Sequence, residues 1–147
     1  MIVYVDSSIL ARAYIPDEAG SDDARRLLAR GDVGRVTATF TRIEVSGALV
    51  RAERSGRIVS ARRALGMLDG DLDEDGPVTE VSAPRQQIET VTLGLVREHG
   101  LRALDALHLA TAALTVPQLA DKGEPIGFAS RDGDQATVAE SLGFAAV

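Results

Sequence analysis

The sequence predicts an α/β domain: a mostly parallel sheet of four to five strands flanked by helices. Two observations carry this. Short apolar runs rich in β-branched residues alternate along the chain with longer segments of helical character. The junctions after these runs supply residues that can start a helix, as in successive βα units. The length of 147 residues is near the commonest size for one domain, and 1–147 is read as a single domain without repeats or low-complexity linkers.

Taken in order, MIVYV (1–5) is a continuous apolar run, as expected of a strand buried on both faces, and it stops at Asp6. SSILARAYI reads as a helix broken at Pro16 and the polar DEAGSDD. DDARRLLARG reads as a second helix closing on Gly31, and VGRVTA as a second strand. A long helix follows from about Thr41 to Gly56. SARRALGMLDGDLD is helical and gives way to a short strand, PVTEV. PRQQIETVTLGLVREHG carries Pro84 near its first turn and Gly100 after its last, the asymmetry of a helix. LRALDALHLATAAL (101–114) is the next helix, followed by a turn region with Pro117, Gly123 and Pro125. IGFAS is a further strand, DQATVAESLG the last helix, and FAAV a final short strand.

Cysteine is absent, which excludes disulfides and thiolate metal sites and agrees with a reducing compartment. No stretch approaches the roughly 18 uninterrupted apolar residues of a membrane span, and MIVYVDSS has no basic signal-like segment. A soluble, cytoplasmic chain is expected. Its net charge of −6 argues against a generic nucleic-acid coat. The charge is unevenly spread, however. Arg42, Arg51, Arg54, Arg57, Arg62 and Arg63 form a basic stretch beside the acids between Asp69 and Glu80. Such a stretch is either a solvated helical face or a guide for a polyanion.

In a parallel α/β sheet, sites form outside the carboxyl ends of the strands. Asp6 follows the first strand. Asp132 follows IGFAS, with Asp134 two residues on, and Glu44 lies in the first turn after the second strand. Asp105 is the odd one, a carboxylate in a Leu/Ala helix. At helical spacing it shares a face with His108, Leu109 and Ala112, while the opposite face is also apolar. A helix apolar all round is normally buried, and a lone buried carboxylate is costly without a partner or a cation.

Each acid also has a structural explanation. Asp6 or Ser7, Asp105 and Asp132 could be N-caps, and Thr41-Arg42-Ile43-Glu44 fits a capping box. Ser, Thr and Asn cap about as well, however, and an acid occurs at every one of these junctions. Clustered carboxylates repel one another and therefore take up protons or a hard cation. An all-oxygen donor set favours Mg²⁺ or Mn²⁺, and a metal so held can generate hydroxide and stabilise the charge of in-line attack on a phosphodiester.

The pieces VDSSIL, TRIEVSGAL, LRALDALHLATA and FASRDGDQATVAESLGF, in this order over nearly the whole chain, resemble the four blocks of the PIN-domain ribonucleases. The resemblance is closest to the VapC toxins of type II toxin–antitoxin pairs. It implies a metal-dependent endoribonuclease, a homodimer, and neutralisation by a cognate VapB-type antitoxin whose basic side chain satisfies the acids. It also implies that Asp6, Glu44, Asp105 and Asp132 form the catalytic metal site, with Ser7 and Ser130 orienting a carboxylate or water. RDGD offers two last acids. The match of Ala139, Leu142 and Gly143 favours Asp132, with Asp134 second, and Gln135 departs from the family's usual apolar residue. Arg42, Arg51 and Arg54 are the expected guides for the RNA backbone.

Other readings are weaker. DLDEDGPVTEVS has the Asp spacing and glycine of an EF-hand loop but ends in Ser82, where a bidentate Glu is required. A phosphotransfer domain of the haloacid-dehalogenase or receiver type also puts acids at strand ends, but VDSSIL has Ser8 where such a phosphatase would use a second Asp two residues after Asp6. A catalytically silent PIN-like binding module, its acids serving only as caps, is the main rival. His108 reads as a packed or hydrogen-bonded core histidine rather than a base, because a metal can make the nucleophile itself.

Overall fold

The computed structural model describes residues 1–147. In chain order the elements are β1 (Ile2–Val5), α1 (Ser7–Tyr14), α2 (Ser21–Ala29), β2 (Gly34–Ala38), α3 (Thr41–Arg54) and α4 (Ala61–Asp71). They continue with β3 (Thr79–Val81), α5 (Arg85–His99), α6 (Ala103–Leu119), β4 (Ile126–Ala129), α7 (Gly133–Ser141) and β5 (Ala145–Ala146). The five strands form one sheet in the order β3-β2-β1-β4-β5, and every neighbouring pair is parallel. The expected α/β class holds.

β1 is central and apolar at every position because helices cover both faces of the sheet. Val3 and Val5 point into one core, where they meet Leu10 of α1, Leu49 of α3 and Leu68 of α4. Tyr4, of opposite parity, points into the other core with Val36, Leu109 of α6, Phe128 and Phe144. Burying a Val or Leu side chain contributes about 1.5–3 kcal/mol. These two layers therefore set the reserve against which any destabilising cluster at the sheet edge has to be held.

Two element ends differ from expectation. α2 does not close on Gly31: Arg30 is the C-cap in extended backbone. Arg30 is held by Asp32 at 2.7 Å, and Arg35 donates to the carbonyls of Leu27 and Arg30, so an arginine does the work expected of a left-handed glycine. Gly100, by contrast, caps α5 with φ 68° as expected. α6 runs through Pro117 to Leu119. The proline removes one backbone bond in the last turn, while Thr115 and Val116 remain buried and hold the helix in register.

The middle of α6 is buried, Ala106 and His108 to Ala112, as a helix apolar all round should be. Its ends are not, and Leu104 is 52% exposed. Leu109→Ala should therefore cost about 2–5 kcal/mol in urea denaturation, as expected for a filled core position. Leu104→Ala should stay within roughly 0.5 kcal/mol of wild type.

Candidate active site

The site is assembled where β1 and β4 end. The Asp6 N–H donates to Ala129 O at 3.0 Å, one bond beyond the β1–β4 ladder, which fixes Asp6 to the sheet. Asp6 is the N-cap of α1, its Oδ2 accepting from the Ser8 N–H at 3.0 Å. Its Oδ1 is buried and accepts no hydrogen bond. His108 Nε2 lies 3.3 Å away, but the shorter contact of that nitrogen is to Glu44, so its approach to Asp6 is electrostatic. The carbonyl preceding Asp6 is satisfied by Thr37 Oγ1 at 2.7 Å, and Thr37 in turn pairs with Thr41 at 2.8 Å.

That threonine pair explains why the capping box does not form. Thr41 is the first residue of α3 rather than its cap. Phe40 is the cap and makes no side-chain cap bond. Glu44, released from the box, sends Oε2 to within 2.6 Å of His108 Nε2. Asp105 is not a cap either. α6 is capped by Arg102, which leaves Asp105 in the first turn, half-buried at the mouth of the sheet. Burial pushes its carboxyl above the usual aspartate range, and the negative charges of Asp132 and Asp6 add to the shift.

Asp132 caps α7, its Oδ1 accepting from the Gln135 N–H at 2.9 Å. The Asp132 N–H donates to Ser130 Oγ at 3.0 Å, and that hydroxyl donates to Gln135 Oε1. Gln135 is fully buried, and its Nε2 donates to the Asp105 carbonyl at 3.0 Å. The residue that departs from the family pattern thus ties the start of α7 to the start of α6 and fixes Asp132 relative to Asp105. Asp134 is exposed in the first turn of α7. Ser7 opens α1, but the hydroxyl that spans to the β4–α7 junction is that of Ser8, which accepts from the Arg131 N–H at 3.2 Å.

The sequence had no signal for several of these partners. Tyr4 Oη meets His108 Nδ1 at 2.8 Å across a separation of 104 residues. Arg42 is turned away from the acids: it bonds Asp69 at 2.8 Å, Glu80 at 3.2 Å and the Leu72 carbonyl, lashing α3 to the acidic stretch. Arg57 is held by Asp17 and Glu18, and Arg131 also pairs with Glu18. Arg51 and Arg54 project into solvent along α3. Asp71, first in the EF-hand-like stretch, accepts from Tyr14 at 2.7 Å, and the end of that stretch is the strand β3.

No three of the acidic and imidazole side chains stand as a ready-made ligand set. The chemistry of the edge still fits a hard cation. A buried carboxylate oxygen without a hydrogen-bond donor is costly unless a positive charge meets it. Asp6 Oδ1 is such an atom, and the carboxylates that raise the Asp105 pKa supply further oxygen donors of the kind Mg²⁺ and Mn²⁺ prefer.

The comparisons with known proteins agree with this architecture. The sequence profile of the PIN domain matches residues 3–140. No curated protein matches the chain. Among solved structures, it superposes on Mycobacterium tuberculosis VapC20, a sarcin–ricin loop cleaving toxin, with a TM-score of 0.62. The identity is 20%, and the match covers 97% of this chain and 96% of that one. The matched range takes in Asp6, Glu44, Asp105 and Asp132, and the chain belongs to the PIN-domain family.

Proposed function

We propose that the chain, acting as a single domain, is a divalent-cation-dependent endoribonuclease of the VapC toxin type, a phosphodiester hydrolase held in check by a cognate VapB-type antitoxin. The observation that carries this reading is the unpartnered, buried Asp6 Oδ1 beside Asp105, whose carboxyl is pushed up first by burial and then by the charges of Asp132 and Asp6. Family membership and the likeness in fold to VapC20 support it.

Asp6, Asp105 and Asp132 would hold the cation, with Glu44 alongside. When bound there, Mg²⁺ or Mn²⁺ would supply the chemistry of an activated water and of charge neutralisation at a phosphate. The chain's own part is to bind and orient. Gln135 and Ser130 set the spacing of Asp132 and Asp105, while Thr37 and Thr41 seat Asp6. Arg51 and Arg54 are the arginines we assign to the RNA backbone, since Arg42 is engaged by Asp69 and Glu80. The antitoxin would silence the site by offering a basic side chain to the same carboxylates, in charge-assisted bonds that replace the cation. We take the active form to be a homodimer acting in the cytoplasm. No helix is long and apolar enough to cross a membrane.

A second reading has one observation in its favour. Asp6 and Asp132 do cap α1 and α7, as a catalytically silent binding module would use them. Cleavage separates the two. The purified chain should cut RNA in Mg²⁺ or Mn²⁺. Asp6→Asn and Asp105→Asn should each lose roughly 100-fold or more of that activity, the scale of removing a primary electrostatic group, while remaining folded. Folded variants as active as wild type would contradict the metal site. An inert wild type whose melting temperature ignores Mn²⁺ would favour the binding module.

The arginine assignment has its own test. Arg51→Ala with Arg54→Ala should weaken RNA binding and reduce the slope of log affinity against log salt by about one for each phosphate no longer neutralised. An unchanged slope would mean that these arginines only solvate α3.

A further inference from the structure

His108 is the one imidazole inside the protein. It is 1% exposed, and its ring lies edge-on to Tyr4 and tilted against Phe40 at 4.7 Å. Both ring nitrogens have partners, drawn from different parts of the chain. Nδ1 is 2.8 Å from Tyr4 Oη on β1, and Nε2 is 2.6 Å from Glu44 Oε2 on α3. Nε2 also faces Asp6 Oδ1 at 3.3 Å.

The partners dictate where the protons sit. Carboxylates only accept, so Nε2 must carry a hydrogen, and the short contact to Glu44 receives it. Tyr4 is fully buried, and a phenol, whose ordinary pKa is about 10, is protonated at neutral pH. Tyr4 therefore keeps its hydrogen and has one to give to the lone pair of Nδ1. The result is a chain with one direction: Tyr4 O–H to Nδ1, then Nε2–H to Glu44. Its far end is rigid, because the Tyr4 ring stacks on Phe128 at 5.3 Å with the planes 4° apart.

We propose that Tyr4 and His108 are positioning residues of the active centre: the phenol fixes the imidazole as its Nε2–H tautomer, and that N–H fixes the Glu44 carboxylate beside Asp6. The assignment rests on the nuclease reading above. Glu44 is long and stands in the first turn of a helix, and ordering such a side chain costs up to about 2 kcal/mol of rotamer entropy. An aimed N–H, immobile within the core, meets that cost in the folded protein before RNA or cation arrives. The logic is that of the outer partners that orient metal-binding side chains. Apolar packing accounts for the ring of Tyr4 but not for its hydroxyl, since Phe would stack on Phe128 equally well. The hydroxyl is there for Nδ1.

The test compares wild type with Tyr4→Phe, His108→Gln and His108→Leu. Four quantities are read: the ¹⁵N shifts of the His108 ring, Mn²⁺ affinity by electron paramagnetic resonance, RNA cleavage, and melting temperature. With only two histidines in the chain, His108 is readily assigned. Wild type should show Nε2–H with Nδ1 unprotonated. Tyr4→Phe should lose that preference, and its Mn²⁺ affinity and kcat should fall by about tenfold or more, with KM for RNA little changed. His108→Gln keeps a donor for Glu44 and should retain most of both, while His108→Leu should not, a contrast that stands even if Tyr4→Phe fails to fold. A wild type carrying its proton on Nδ1 overturns the proposal. So does a Tyr4→Phe chain with a lowered melting temperature but wild-type affinity and cleavage, or equal behaviour of the Gln and Leu variants. A wild type that neither binds Mn²⁺ nor cuts RNA overturns the nuclease reading itself, a result distinct from these.

Discussion

Because all five strands run the same way, their carboxyl ends lie along a single edge, and the chain leaves that edge by starting helices. β1 and β4 are neighbours in register, Val5 opposite Ala129, so the acids that follow them are brought together by the backbone before any side chain is considered. α6 and α3, packed on the two faces of the sheet, bring Asp105 and Glu44 to the same edge. Burial at this edge pushes the Asp105 carboxyl up, and the like charges of Asp132 and Asp6 add to the shift.

Threonine, serine, glutamine, tyrosine and histidine side chains hold the acids in place. Thr37 and Thr41 pin the end of β1 to the start of α3. Ser130 and Gln135 pin α7 to α6. Tyr4 and His108 link the centre of the sheet to Glu44. Each linkage is buried or nearly so, where a satisfied network is rigid and an incomplete one is costly. Asp6 Oδ1 is the exception, and it faces the site. The two apolar layers supply the stability that such a cluster consumes.

The parallel sheet was legible because it is buried on both faces, which makes MIVYV and IGFA runs with no polar side chain other than that of Tyr4. The odd placement of Asp105 was legible for a related reason: few explanations exist for a carboxylate in a Leu/Ala helix. Local rules failed where a group on another element outbid the expected partner. Thr41 and Glu44 have capping-box spacing, but Thr37 and His108 claim them. Gly31 looks like a helix stop, but Arg35 supplies the cap from the next strand. Arg42 belongs to a basic run, yet its partners Asp69 and Glu80 lie in the acidic run beside it. Pairings across 64 and 104 residues, such as Glu44–His108 and Tyr4–His108, leave no trace in spacing.

If a cation serves this edge, it relieves the cost of holding the Asp105 carboxylate half-buried beside Asp132 and Asp6. The direct measurement is the melting temperature of wild type and Asp105→Asn against pH, with and without Mn²⁺. The Asp105 carboxyl titrates higher in the folded than in the unfolded chain, so between those values the folded state binds more protons. Stability from this group therefore falls as pH rises through that window. Without metal, the two proteins should converge below the ordinary aspartate range and separate above it, with Asp105→Asn the more stable at neutral pH. Millimolar Mn²⁺ should raise wild type strongly and the variant little, by the linkage that stabilises any state a ligand prefers. Parallel pH curves with equal shifts in Mn²⁺ would contradict the account and leave the acids as helix caps and solvated charges.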